Sequence, residues 1–251
     1  MLAAERRHYI LDLLKRDGRI VAQELSTELG VSEDTIRRDL REMAAEGLLQ
    51  RVHGGALPRS PALVSFRTRE AQVSPAKIAV AALAASLIQP GMVVFLGSGT
   101  TNVQAAAHLP RDLSATIITN SPPAAVALAD HPGVEVVVIG GRLYKHAQVT
   151  VGSEAVDAVR RVRADLYLMG VCSLHPELGI SIQDLEEANV QRAMIANAAE
   201  VAALATAEKM GTAAPYIIGS ISDLSSIITD ALLPDEVFEP YRAQNVTILR
   251  A

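Results

Sequence analysis

The sequence predicts a large α/β domain with a mostly parallel sheet, preceded by a small helical α+β head that ends in a β-hairpin. Three observations predict this. Residues 1–58 are rich in charge and carry apolar residues at helical spacing. From residue 75 onward, short β-branched runs alternate with helical segments, the pattern of a parallel sheet covered on both faces. Apolar residues make up 49% of the chain but aromatics only 3%, so the core must come from Val, Ile, Leu and Ala, as in buried parallel strands and the helices over them. Residues 59–74 (RSPALVSFRTREAQVS) lose the helical period and read as a linker. The expected domains are therefore 1–58 and 75–251.

In the head, ERRHYILDLLKR (5–16) is a helix that buries Ile10, Leu13 and Leu14. LSTELGVS (25–32) follows, with Leu25 and Leu29 packing one way and Gly30 permitting a tight turn. Ser32 caps the next helix, and Glu33 and Asp34 sit in its first turn, where the helix dipole favours acid. In IRRDLREM (36–43), Ile36, Leu40 and Met43 share one face, and Arg37, Arg38 and Arg41 fall on the other. After Gly47, LLQRVHGGA (48–56) reads as a wing, with Gly54-Gly55 as its hairpin turn. Two helices joined by a glycine turn, with arginines outward and a wing behind, form a winged helix-turn-helix. Such a helix reaches base edges in the major groove while arginines hold phosphates. Ser32, Asp34, Thr35, Arg37, Arg38, Arg41, Arg51 and His53 are the residues expected to meet duplex DNA. The alternative is a solvated charged face, because Asp34, Asp39 and Glu42 nearly cancel the arginines.

In the larger domain, Ser74-Pro75 opens a helix over 75–88. Strands are expected at 92–96, 115–118, 134–139, 164–170, 201–206, 216–219, 226–229 and 245–249. Further helices are expected at 101–108, 122–130, 153–162 and 184–198. LGSGTT (96–101) lies between a strand and a helix. Its amides can face an anion, with hydroxyls from Ser98, Thr100 and Thr101 beside them. A plain tight turn capped by Ser and Thr is the other reading of the same residues.

The formal net charge of −5 argues against a basic coat, though a local basic patch remains compatible with it. The single Cys172 excludes an intrachain disulfide and fits a reducing compartment. MLAAERRHYI becomes charged at once, so no secretory leader is expected, and IAVAALAASLI (78–88) is well short of the ~20 apolar residues of a spanning helix. A cytoplasmic location without membrane contact is expected. The histidines lack the paired spacing of a zinc site, and neither a metal nor a cofactor is expected.

The run GVSEDTIRRDLREMAAEGLLQRVHGGA (30–56) resembles the signature of the DeoR family of bacterial transcriptional regulators. That resemblance implies a DNA-binding head joined to an effector-sensing and oligomerisation domain related to sugar-phosphate isomerases, over about residues 75–250. It also implies a repressor relieved by a phosphorylated sugar or related metabolite, acting as a homo-oligomer on an operator. The family's G-S/T-G-T-T loop, T-N and G-G are matched here by residues 97–101, Thr119-Asn120 and Gly140-Gly141. The effector site so implied comprises Gly97, Ser98, Gly99, Thr100, Thr101, Asn120, Gly140, Gly141, Arg142, Gly152, Ser173, Glu187 and Lys209. Two places depart from the family. The loop after 164–170 has Cys172-Ser173 where Asp-Gly is common, and Thr206-Ala207-Glu208-Lys209 stands where D-S-S-K is common. An isomerase-like enzyme with Glu187 as base is the alternative, and the lack of a carboxylate in the 171–174 loop weighs against it. A scaffold whose basic helix meets an acidic protein is a further alternative, which sequence-specific DNA protection would separate.

Overall fold

A computed structural model describes residues 2–251. The head contains α1 (Ala3–Asp17), β1 (Ile20–Val21), α2 (Ala22–Leu29), α3 (Glu33–Ala45), β2 (Gln50–Val52) and β3 (Gly55–Leu57). Ile10, Leu25, Ile36, Leu40 and Met43 are at most 2% exposed and form one core beneath the three helices. Leu13 and Leu29 lie only half-buried at its edge. The hydroxyl of Ser32 accepts the Thr35 amide at 3.3 Å, closing the first turn of α3. The wing turns one residue earlier than expected: Val52 pairs with Gly55, so the turn is His53-Gly54. β3 also pairs with β1, a strand too short to show any alternation in sequence.

The remaining elements are α4 (Phe66–Glu70), α5 (Pro75–Ser86), β4 (Val93–Leu96), α6 (Thr100–Ala107), β5 (Ala115–Thr119), α7 (Pro122–Ala127), β6 (Val134–Val138), β7 (Arg142–Tyr144), β8 (Val149–Val151), α8 (Ser153–Arg160), β9 (Ala164–Gly170), β10 (Ser173–His175), β11 (Gly179–Ile182), α9 (Leu185–Ala196), β12 (Ala198–Leu204), β13 (Tyr216–Gly219), β14 (Ser226–Thr229), α10 (Glu239–Arg242) and β15 (Thr247–Arg250). Seven strands make a parallel sheet in the order β15-β14-β12-β9-β4-β5-β6. Alternate residues of β9 face opposite sides. Leu166 and Leu168 meet the core under α5 and α6, while Tyr167 and Met169 meet the core under α8 and α9. From β4 the chain proceeds outward through β5 and β6; from β9 it proceeds the other way. The strand order therefore reverses between β4 and β9, the place where open α/β sheets bind ligands.

Two expectations need correcting here. YIIG (216–219) is a strand, but it joins β10 and β11 in a small antiparallel sheet outside the parallel one. The hairpins β7–β8 and β10–β11 were not expected, because three- and four-residue strands of mixed composition carry too little periodicity. Residues 59–74 are likewise no bare tether. Leu63 and Phe66 are buried, α4 forms behind the N-cap Ser65, and Arg59 bridges in parallel to Ala213. The apolar residues of this segment are too sparse to show a period, but the sheet domain has a surface that accepts them. Among the described residues, no helix is long and apolar enough to cross a membrane.

Candidate functional site

The first site is the outer face of α3. Arg38 and Arg41 are exposed, and neither has a carboxylate partner among the described residues. Arg37 pairs with Glu33 one turn back, at 2.7 Å. Of the three acids that nearly balance these arginines in sequence, Asp39 and Glu42 are taken up by α1, and Asp34 stays exposed at the start of α3. Asp39 is buried against Arg6 of α1, and Glu42 and Glu46 pair with Arg7. The α3 face is thus more positive than its sequence suggests. Arg51 and His53 are exposed in the wing beside it, Ser32 and Asp34 are exposed at the start of α3, and Thr35 is half-buried, hydrogen-bonded to Ser32.

The second site is a pocket at the carboxyl ends of β4 and β9. Its floor is the loop from Ser98 to Thr101, which leads into α6. Gly99 caps α6 at φ +100°, a backbone conformation that side chains disfavour. Gly97 is required for a different reason: a Cβ there would stand 3.0 Å from both the Leu168 carbonyl and the Tyr167 ring. Gly97 does not itself line the pocket. The first amides of α6 have no intrahelical acceptors and present the positive end of the helix. Glu187 and Lys209 also line the pocket, from α9 and from a short 3-10 turn after β12. The Ser98 hydroxyl donates to Glu187 Oε1 at 2.9 Å.

The other predicted effector residues stand away from this wall. The Asn120 side chain donates to the Thr150 carbonyl at 3.0 Å, and the Thr150 hydroxyl donates to the Ile139 carbonyl at 2.6 Å. These bonds tie the Thr119-Asn120 and Gly140-Gly141 loops to the β7–β8 hairpin. Arg142 is exposed at the start of that hairpin, Gly152 lies at the N-terminus of α8, and Ser173 is fully buried in β10. None of these five places lines the pocket.

Residues 6–61 match the DeoR-like helix-turn-helix domain, and residues 72–231 match the DeoR C terminal sensor domain. The chain belongs to the DeoR family. It is 34% identical over 252 residues to the HTH-type transcriptional regulator GlpR of Haloferax volcanii, covering 99% of this chain and 98% of that protein. It is 36% identical over 240 residues to the HTH-type transcriptional repressor GlcR of Bacillus subtilis, covering 95% and 92% respectively. The glycerol-3-phosphate regulon repressor of Escherichia coli is 30% identical, with 95% of each chain covered. This DeoR-family chain is a transcriptional regulator with a DNA-binding head.

The DeoR-family pocket holds residues that sequence reasoning missed. Arg69 of α4 and Lys77 of α5 both line it. The Lys77 ammonium donates to the Gln72 carbonyl at 2.9 Å, and its pKa is lowered, first by burial. Tyr144 and His146 of the β7–β8 hairpin contribute a tilted ring pair 5.9 Å apart. In sequence His146, in the loop RLYKHAQVT (142–150), reads either as a ligand contact or as an exposed loop residue. Here it is half-buried, and its Nε2 donates to the Leu63 carbonyl at 3.1 Å. Cys172 also lines the pocket, with its thiol pushed up to about 11 by burial. The segment FRTRE behind Ser65 was the available sequence signal for Arg69, since Ser caps a helix there.

Burial pushes the Glu187 carboxyl up from its ordinary 4.5 to about 7, against the Ser98 and Gln191 hydrogen bonds and the Arg69 charge, which favour ionisation, and with the help of Asp184. Between those two values the folded protein keeps a proton that the unfolded chain has released. Stability therefore falls as pH rises through that window and levels off above it. Glu187→Gln should flatten this dependence, read from denaturant midpoints at about pH 5 and about pH 8. An unchanged slope would place the titration elsewhere.

Proposed function

We propose that this regulator is a cytoplasmic repressor whose DNA binding is controlled by a phosphorylated sugar or related metabolite held at the carboxyl ends of β4 and β9. One observation carries the reading. Arg69, Lys77 and Lys209 converge from three elements on the Ser98–Thr101 loop, and no carboxylate pairs with any of them among the described residues. A cluster of buried or half-buried cations at the positive end of a helix calls for an anion. The glycerol-3-phosphate regulon repressor carries a phosphate ester in its name, which agrees with that charge pattern.

The heads act in pairs on repeated half-sites, because one head makes too few contacts for an operator's specificity. The sheet domain supplies the oligomer contacts. Ligand and DNA favour different domain arrangements, so each weakens the other's binding by the same factor. The test is a thermal-shift screen of sugars and their phosphates in matched pairs, followed by footprinting on duplex selected from a random pool. An ester that shifts the melting midpoint, when its parent sugar does not, and then weakens the footprint, supports the reading. A footprint unmoved at saturating ester overturns it.

Arg38→Ala should weaken binding to the selected duplex by ~1–3 kcal/mol if Arg38 reads a base, and relax preference at one position. Ligand binding should be unchanged. If Arg38 meets only phosphate, the loss is smaller and uniform across sequences, which competition with scrambled duplex will show.

Glu187, held at about 7, and Lys209, held at about 8, favour one second reading. Groups poised there can move protons between sugar carbons. Purified protein that releases no isomerised ester at high concentration eliminates this enzyme reading.

A further inference from the structure

We infer that Arg69 is an effector ligand supplied by the segment that joins the head to the sheet domain, so that an anion in the pocket locks this connector in place; the inference rests on the pocket holding an anion. The connector, residues 59–74, forms part of the pocket's outer wall through Leu63, Arg69 and Gln72. The Arg69 guanidinium reaches the loop floor: a Cβ built on Gly99 would stand 3.9 Å from it. Its Nε is buried without a hydrogen-bond partner, and no ion pair holds the side chain among the described residues. Across the pocket, Lys209 is 7% exposed, and its ammonium has no hydrogen-bond or carboxylate partner among the described residues. Two unpaired cations, one from the connector and one from the sheet domain, thus border the same space.

The connector's other contacts use the same walls. The Ser60 hydroxyl donates to the Cys172 carbonyl. The Phe66 amide donates to the His146 carbonyl at 2.8 Å, and the His146 ring donates back to Leu63. The Lys77 ammonium holds the Gln72 carbonyl at the connector's far end. These four bonds all end on pocket residues, while Arg59 at the head end bridges to Ala213 and donates to the Gly47 carbonyl outside the pocket. With the pocket empty, Arg69 faces Lys77 and Lys209, and their mutual repulsion works against this docked arrangement. A doubly charged oxyanion reverses the sign, because a planar guanidinium can take two of its oxygens while the ammonium groups take the rest. Against Glu187 and Glu208 in the same lining, Arg69, Lys77 and Lys209 leave a positive balance, which favours a phosphate ester over a neutral sugar. The head is attached to the connector directly at Pro58, so occupancy is transmitted through the chain itself.

The test uses full-length protein, inorganic phosphate as probe and chloride at equal ionic strength as control. Trypsin cuts after Arg67 and Arg69, which places the protease readout in the connector. Phosphate should raise the melting midpoint of the wild type, slow connector cleavage by about tenfold and change affinity for the selected duplex by about tenfold. Arg69→Gln should lose most of the midpoint shift and show neither protection at Arg67 nor a change in DNA affinity. Arg69→Lys, which keeps the charge and loses the fork, should be intermediate and guards against a folding artefact. Arg67→Gln, at an exposed neighbour, loses its own cleavage site and should otherwise keep the wild-type midpoint shift, protection at Arg69 and coupling to DNA. Full protection and full coupling in Arg69→Gln overturn the inference and leave the pocket reading standing. A wild-type midpoint shift without connector protection also overturns it alone. No phosphate shift in the wild type overturns the anion reading and this inference with it.

Discussion

Lys209→Met should make the protein more stable and deaf to its effector. Lys209 is 7% exposed, and burial before any other cause lowers its ammonium from 10.5 to about 8. After burial, Cys172 pushes hardest and the other way, and the Arg69 and Lys77 charges, which also lower the ammonium, are offset in part by Cys172 and Glu208. At neutral pH the folded protein therefore keeps a charge that it solvates poorly. The sign follows from proton counts. Between about 8 and 10.5 the unfolded chain holds a proton that the folded protein has released, so wild-type stability rises with pH there. Below about 8 both states are protonated and the whole cost of burial stands. Methionine has a similar length and no charge, so the variant should gain about 1–4 kcal/mol at neutral pH and show no rise in the alkaline window. Its phosphate-ester binding should weaken by about 2–5 kcal/mol, since the ester's charge then faces an uncharged wall. Denaturant titration at two pH values and a thermal-shift titration read both effects. A destabilised variant with undiminished ester binding would show that Lys209 is structural.

Asp39→Ala should unfold the head and leave the sheet domain working. Asp39 and Arg6 are 3% and 7% exposed at their side chains, and their ion pair joins α3 to α1. Arg7 adds a second cation 4.0 Å from the same carboxylate. Removing the carboxylate leaves the Arg6 guanidinium buried without a partner, a change that costs about 3–5 kcal/mol. A head of this size has little stability to spare. Specific DNA binding should disappear, and the thermal shift with the phosphate ester should remain. The double replacement Arg6→Met with Asp39→Leu removes both charges and should restore folding and DNA binding, since neither side chain faces outward. Calorimetry and footprinting of the two variants decide this. Normal DNA binding by Asp39→Ala would mean that the pair contributes little.

Much of this was legible in the residues. Ile36, Leu40 and Met43 recur at helical spacing, and their burial follows from that spacing alone. The inner strands β4, β5 and β14 are short runs rich in Val and Ile and largely buried, and such runs can be read without knowledge of their neighbours. LGSGTT marks its own strand-to-helix turn. The connector was not legible. RSPALVSFRTREAQVS has three buried apolar residues, Ala62, Leu63 and Phe66, two of them adjacent, and these make no period. Asn120 and Gly140-Gly141 look like ligand groups because polar and glycine residues after strands so often are. Here Asn120 and the Ile139 carbonyl ahead of the glycines both bond to Thr150, which ties these loops to the β7–β8 hairpin.

The sequence by itself determined the two-part organisation, the face of α3 that carries arginines and the position of the glycine turn in the sheet. These are properties of residues within a few positions of one another, and local periodicity and backbone preference set them. Only the tertiary structure decided which charges are free. Asp39 is cancelled by a residue 33 positions away, and Arg69, Lys77 and Lys209 become one cluster only when α4, α5 and the turn after β12 close around Ser98. Electrostatic energy depends on distance and burial in space, and sequence separation reports neither.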